Sequence, residues 1–234
     1  MPRPLMHTLP LLIALGTLFA LWAVRNLGAS EAPVPPKAAR DLPPGKPGEL
    51  RTVVVAGGCF WCEEAVFEQL TGVTAVVAGY AGGTAATATY DKYEESNHAE
   101  AVKITYDSAR ISYGDLLRVL FAAGEPTVKD GQKPDYGHQY RMAVFYQNPE
   151  EKQVAEAYIQ QLTEAKVYDQ PIQVTVELMP EGFFSAEEYH QHFVTRNPEH
   201  PYVCTWSLKK IARIRAAFPA QVKPTEPAPS AGGK

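Results

Sequence analysis

The stretch Thr52–Gly72, TVVVAGGCFWCEEAVFEQLTG, decides how the chain folds. Its first residues form a β-branched run without alternation, the pattern of a strand covered on both faces. From Cys59 onward the period changes: Cys59, Cys62, Val66 and Leu70 recur at helical spacing, and Gly72 is a stop signal. Gly57-Gly58 joins the two elements and permits a sharp turn. A thiol at this junction meets the unpaired N–H groups and positive end of a helix, which favour an anion. An ordinary thiol titrates near ~8.5 and falls to about 7 or lower in such a place. Cys59 is therefore expected to be a thiolate nucleophile. Cys62, one turn on, reads equally as its redox partner or as a buried thiol filling a core gap.

Working outward, "VTAVVAGYAGG" reads as a second strand and "AEAVKITYD" as a third. "SYGDLLRVLFAAG" (Ser112–Gly124) is an amphipathic helix, and "QYRMAVFYQ" is another strand. A helix runs from near Asn148-Pro149 to about Ala165, with proline in its first turn. "IQVTVELMP" alternates again, Ser185–Glu188 has the form of a capping box, and a last helix spans about Ser207–Phe218. The opening order β-α-β-β-α-β predicts an α+β two-layer sandwich with a ferredoxin-like centre.

The ends read differently. "LPLLIALGTLFALWAV" (Leu9–Val24) follows Arg3 and His7 and precedes Arg25, so residues 1–28 read as a signal peptide or an N-terminal membrane anchor. Residues 29–50 hold six prolines and no hydrophobic period, and read as a semi-extended linker. The catalytic domain is placed at residues 51–219, and residues 220–234 read as a disordered tail. These features predict export, with the domain in the periplasm or anchored to the membrane outside the cytoplasm. Only the N-terminal segment is expected to touch a membrane. A net charge of −4 and the lack of a polybasic run give no reason to expect nucleic acid or anionic lipid. Three cysteines are too few for a disulfide scaffold and leave at least one unpaired within the chain.

The third strand contains an anomaly. A period of two puts Glu100 on the face of Val102, Ile104 and Tyr106, so a carboxylate sits on an apolar surface. Burial disfavours its charged form and favours a neutral proton donor. Phe60 and Trp61 point about 100° apart on a helix, so at least one is expected at solvent or in a pocket wall. "DYGHQYRM" places Asp135, His138 and Tyr140 around the start of a strand, with Tyr140 at the rim of an apolar face; Tyr90 in "TATYDKYEE" is a weaker signal. His190 and His192 of "YHQH" do not point the same way on an amphipathic segment, which argues against a zinc site with the cysteine pair. A thioredoxin-like oxidoreductase built on Cys59-Phe-Trp-Cys62 is the first rival reading, though it leaves Glu100 without a role. An exported metal-binding or adhesion module is the second.

With these residues assembled, the chain resembles the methionine sulfoxide reductase A family. "GGCFWCEEAVFEQLTGVTAVVAGYAGG", "TY" at Thr89-Tyr90, "HAEAVKITYD", "ISYGDLL", "DYGHQYRMAVFY" and "FFSAEEYHQHF" carry the likeness, in the family's order. The resemblance implies that Cys59 is the nucleophile, that Phe60 and Trp61 hold the sulfoxide methyl group, and that Glu100 protonates the departing oxygen. It implies that Tyr90 and Tyr140 hydrogen-bond that oxygen while Asp135 supports the site. Cys204, Cys62 or both in relay would resolve the oxidised nucleophile. A thioredoxin-like dithiol would restore it, and methionine-sulfoxide-containing proteins or peptides would be the substrates. No metal, flavin or nucleotide cofactor is implied.

Overall fold

The computed structural model describes residues 33–179 and 181–224. Strand β1 (Leu50–Gly57) leads through Gly58 and Cys59 into helix α1 (Phe60–Glu68), and β2 (Val73–Ala81) follows. After two short turns come β3 (Ala99–Asp107) and α2 (Tyr113–Ala123). A small hairpin, β4 (Gly131–Gln132) and β5 (Asp135–Tyr136), precedes β6 (Met142–Tyr146) and α3 (Pro149–Glu164). The chain ends through β7 (Thr175–Leu178), β8 (Phe183–Ser185), the one-turn α4 (Phe193–Arg196) and α5 (Leu208–Ala217).

The main sheet has the order β7-β6-β1-β3-β2-β8. Its middle, β6-β1-β3-β2, is antiparallel throughout and is the predicted ferredoxin-like centre. Beyond it β7 joins β6 in parallel and β8 joins β2 antiparallel. One sheet face, through Val53, Val55, Val102, Ile104 and Val144, packs on Val66 and Phe67 of α1, Leu116 and Leu120 of α2, and Val154, Tyr158 and Leu162 of α3. The other face is lined by smaller residues, among them Ala56, Ala99, Ala101 and Ala143, and meets Phe183 and Met179. β1 is thus buried on both faces, which is why its sequence does not alternate.

Local chemistry sets the helix starts. Ser112 Oγ accepts the Asp115 N–H at 3.0 Å, and Asn148 Oδ1 accepts the Glu151 N–H at 2.9 Å with Pro149 opening α3. Two local expectations need correction. Ser185 closes a strand and Glu188 opens a 3-10 turn, so no capping box forms there. Tyr140 lies in the 3-10 turn His138–Tyr140, and β6 begins only at Met142.

The bounds of the domain also shift. The Pro-rich segment, read as a linker, is extended but docked from Val34 on. Arg118 Nε donates to Pro35 O at 2.6 Å, Tyr158 Oη to Pro36 O at 2.8 Å and Gln161 Nε2 to Lys37 O at 2.8 Å, while Gly114 N–H donates to Asp41 Oδ1 at 2.8 Å. An extended backbone has free carbonyls, and side chains of α2 and α3 take them. At the other end the domain runs past Pro219: Thr71 N–H donates to Gln221 O and Lys223 N–H to Gln69 O, both at 2.7 Å. The apolar stretch Leu9–Val24 and the tail from residue 225 lie outside the described residues. Among the described residues no helix is long and apolar enough to cross a membrane.

Candidate active site

Cys59 is the N-cap of α1, and its carbonyl accepts the N–H groups of Cys62 at 3.0 Å and Glu63 at 3.2 Å. The turn into it requires glycine. Gly58 has φ +98°, and a Cβ there would stand 2.6 Å from Gln132 Cβ. A Cβ at Gly57 would stand 2.7 Å from the Glu63 carboxyl carbon. Cys59 is 8% exposed, so its sulfur sits just inside the surface.

Glu100 faces the helices, as the alternation of β3 predicts, and is 3% exposed. It accepts the Phe60 N–H on Oε2 at 2.9 Å and the Tyr93 hydroxyl on Oε1 at 2.8 Å. Burial pushes its pKa up to about 8. The two hydrogen bonds pull the other way, and the charges of Asp135 and Cys62 add to the rise. Glu100 is thus a neutral carboxylic acid at neutral pH, held at the opening turn of the helix that Cys59 caps.

These two groups share a cleft of about 150 Å³ with Phe60, Trp61, Tyr90, Asp135, Tyr140 and Tyr202. Every predicted nucleophile, acid, tyrosine and aromatic of the site therefore lines one small space. Phe60 is buried and Trp61 partly exposed. The Trp61 ring stacks on Phe193 at 3.7 Å and its Nε1–H donates to His190 Nδ1 at 3.1 Å. Tyr90 is 41% exposed and stacks on Tyr93, with centroids 5.6 Å apart. Burial and the Glu100 charge raise the Tyr140 phenol, so it stays protonated and can donate.

Two residues of the site carry no periodic signal in the sequence. Tyr93, three positions after Tyr90 in a loop, holds Glu100 directly; the repeated Tyr of "YDKY" is the only hint of it. Tyr202 donates its hydroxyl to Asp135 Oδ2, accepts from Cys62 Sγ at 3.9 Å, and lines the same cleft as Cys59. Asp135, on β5, thereby reaches the thiols through Tyr202.

The charge on the thiols differs from the expectation. The first amide of α1, at Phe60, is committed to Glu100. Burial pushes the Cys59 thiol up, and Cys62 and Glu100 add to the effect. Cys62 moves the other way, to about 7. The neighbouring Cys59 thiol is the main cause, with help from Lys210 and Ser207 and against burial. The two thiols influence each other's titration, Cys59 moving up and Cys62 down. Cys62 Sγ also lies 3.1 Å from Ser207 Oγ. Lys210 reaches into the same region from α5, with Nζ 3.3 Å from both Glu63 Oε1 and Gly57 O.

Cys204 is exposed and its sulfur contacts Pro198 O at 3.3 Å. The two histidines diverge as expected. His190 is buried against Trp61, and His192 turns to Glu68 at 2.7 Å. They do not join the cysteines in a cluster among the described residues.

Comparison with known proteins agrees with this geometry. The family model of peptide methionine sulfoxide reductase matches residues 51–222. A Synechocystis protein named peptide methionine sulfoxide reductase MsrA 2 is 47% identical over 173 residues, covering 73% of this chain and 80% of its own. A Thermus thermophilus peptide methionine sulfoxide reductase MsrA is 42% identical over 181 residues, covering 76% of this chain and 99% of its own. The solved methionine sulfoxide reductase A of Corynebacterium diphtheriae superposes with a TM-score of 0.55 at 29% identity, covering 66% of this chain and 77% of that one. The chain belongs to the methionine sulfoxide reductase A family of peptide methionine sulfoxide reductases.

Proposed function

We propose that the chain reduces the S-epimer of methionine sulfoxide in proteins and peptides by thiol chemistry, repairing oxidised proteins. The observation that carries this reading is a neutral buried acid, Glu100, hydrogen-bonded at 2.9 Å to the amide of the residue that follows the buried thiol Cys59. Glu100 gives its proton to the sulfoxide oxygen, which makes the sulfur more electrophilic. Cys59 passes its own proton to Cys62 and attacks as the thiolate. The protonated oxygen then passes from the substrate sulfur to Cys59 as the sulfur–sulfur bond formed by the attack breaks, so methionine leaves as the thioether and Cys59 becomes a sulfenic acid. Tyr90 and Tyr140 hold the oxygen before transfer, and Phe60 and Trp61 hold the methyl group.

The Cys62 thiol then condenses with the sulfenic acid, forming a disulfide and releasing water, while Glu100 recovers a proton from solvent. The position of Cys62 in the first turn of the helix that Cys59 caps, buried as Cys59 is, favours it over the exposed Cys204 as the first resolving thiol. A thioredoxin-type dithiol reduces the disulfide by exchange. We further propose that this takes place outside the cytoplasm, a reading supported by the apolar stretch Leu9–Val24.

Cys59→Ser is expected to abolish reduction of a methionine-S-sulfoxide peptide, and full activity in that variant would refute the proposal. A single turnover without external reductant, followed by mass spectrometry, is expected to show one methionine released and a Cys59–Cys62 disulfide. A Cys59–Cys204 link in the first product would overturn the choice of Cys62.

A further inference from the structure

Helix α1 presents another group of side chains beyond the cleft. Glu64 and Glu68 stand one turn apart, so they share a face, and both meet His192. His192 holds left-handed backbone, φ 54°, which is uncommon for a residue with a side chain. Its N–H donates to Glu64 Oε2 at 2.7 Å, and its Nδ1 lies 2.7 Å from Glu68 Oε1 and 3.8 Å from Glu64 Oε1. One ligand atom from each of the three residues falls within 4.8 Å of the others.

Glu64 points to an occupant. It is 1% exposed, and its Oε1, on the His192 side, has no hydrogen-bond partner. A buried carboxylate oxygen left without a donor is costly unless a proton or a cation completes it, and burial with the Glu68 charge raises the Glu64 pKa to about 7. Glu68 and His192 also line an open cleft of about 500 Å³ along residues 73–77, so an ion has a way in. Lys223 borders that cleft, but its Nζ donates to Glu68 O at 2.9 Å and is held at the backbone.

We propose that Glu64, Glu68 and His192 bind one divalent zinc ion. Two carboxylates and an imidazole are a donor set zinc accepts, at about 2.0–2.2 Å each, with a fourth position left to water. The residues already converge, so small rotations of the partly exposed Glu68 and exposed His192 side chains would suffice. The ion would fasten α1 to the segment that carries His190 and Phe193, the two residues that hold Trp61. The site is independent of the reductase reading and contributes no group to that chemistry.

The test is isothermal titration of the full chain with zinc chloride after treatment with EDTA, run beside Glu68→Gln and His192→Ala. Zinc taken up by the thiols is common to all three proteins and cancels in the comparison. The parent is expected to bind one equivalent more than either variant, or to bind that equivalent at least tenfold more tightly. Zinc is expected to raise the Tm of the parent by more than that of the variants. The two substitutions sit on partly exposed side chains, and circular dichroism verifies that each variant folds. Equal stoichiometry and affinity in the parent and either folded variant would overturn the site.

Discussion

Phe60 donates its backbone N–H to Glu100 Oε2 at 2.9 Å, so the helix that begins at the nucleophile also holds the acid. That amide serves the carboxyl group, and the Cys59 side chain makes no capping hydrogen bond. The Glu100 charge also adds to the rise of the Cys59 thiol, so proton supply to the substrate and charge on the nucleophile are linked.

Glu100→Gln removes the proton donor while keeping the shape. Turnover of a methionine-S-sulfoxide peptide is expected to fall about 10²–10⁴-fold, the usual contribution of general acid catalysis. In the parent, activity should decline as pH rises through about 8, where Glu100 ionises. Because its folded pKa is raised, Glu100 stabilises the fold most below the ordinary glutamate range, and this contribution is lost as pH rises to about 8. The glutamine variant should lack both trends, read from pH–rate profiles and urea unfolding at several pH values.

Tyr93→Phe deletes the hydroxyl that donates to Glu100 Oε1 at 2.8 Å. That bond lowers the pKa of Glu100, so its loss should move the alkaline limb of the pH–rate profile upward. The cost in stability should be about 1 kcal/mol. A limb that stays in place would show that Tyr93 does not hold the acid.

Lys210→Met takes away a charge that lowers the Cys62 thiol. Alkylation of Cys62 should become slower at neutral pH, with the midpoint of its pH dependence above about 7. The fully buried Glu63 would lose its partner, and the fold should lose about 3–5 kcal/mol. The double variant Lys210→Met/Glu63→Gln should recover much of that stability without restoring the thiol. Alkylation kinetics separate the two effects.

Gly58→Ala tests the turn into the site. Its φ of +98° and the 2.6 Å approach to Gln132 Cβ make any side chain strained. A loss on the order of 2 kcal/mol in urea unfolding is expected, more if the backbone cannot shift.

A chain beginning at Arg51 should be less stable than one beginning at Val34 by on the order of 2 kcal/mol, because it would lose the hydrogen bonds at Pro35, Pro36, Lys37 and Asp41. Equal Tm values would mean that these contacts contribute nothing.

What the sequence revealed depended on periodicity. The buried run of β1, the switch to helical spacing at Cys59 and the inward face of β3 are period signals, and they located Cys59 and Glu100 on the correct sides of the fold. Tyr93 and Tyr202 sit in segments without a period, so only the folded contacts identify them. The lowering expected of the Cys59 thiol is opposed mainly by burial, which no sequence period reveals. A helix start offers its amides to whatever lies opposite, and position along the chain does not say that Phe60 donates to Glu100. The Pro-rich segment lacks apolar residues at a helical period, yet its carbonyls serve as acceptors for Arg118, Tyr158 and Gln161. A compositional reading has no means to count them.

The docking of residues 34–42 along α2 and α3 changes the leash of the domain. Anything upstream pulls on the helical layer at Pro35, not on β1, and much of the apparent slack ahead of the sheet is already taken in.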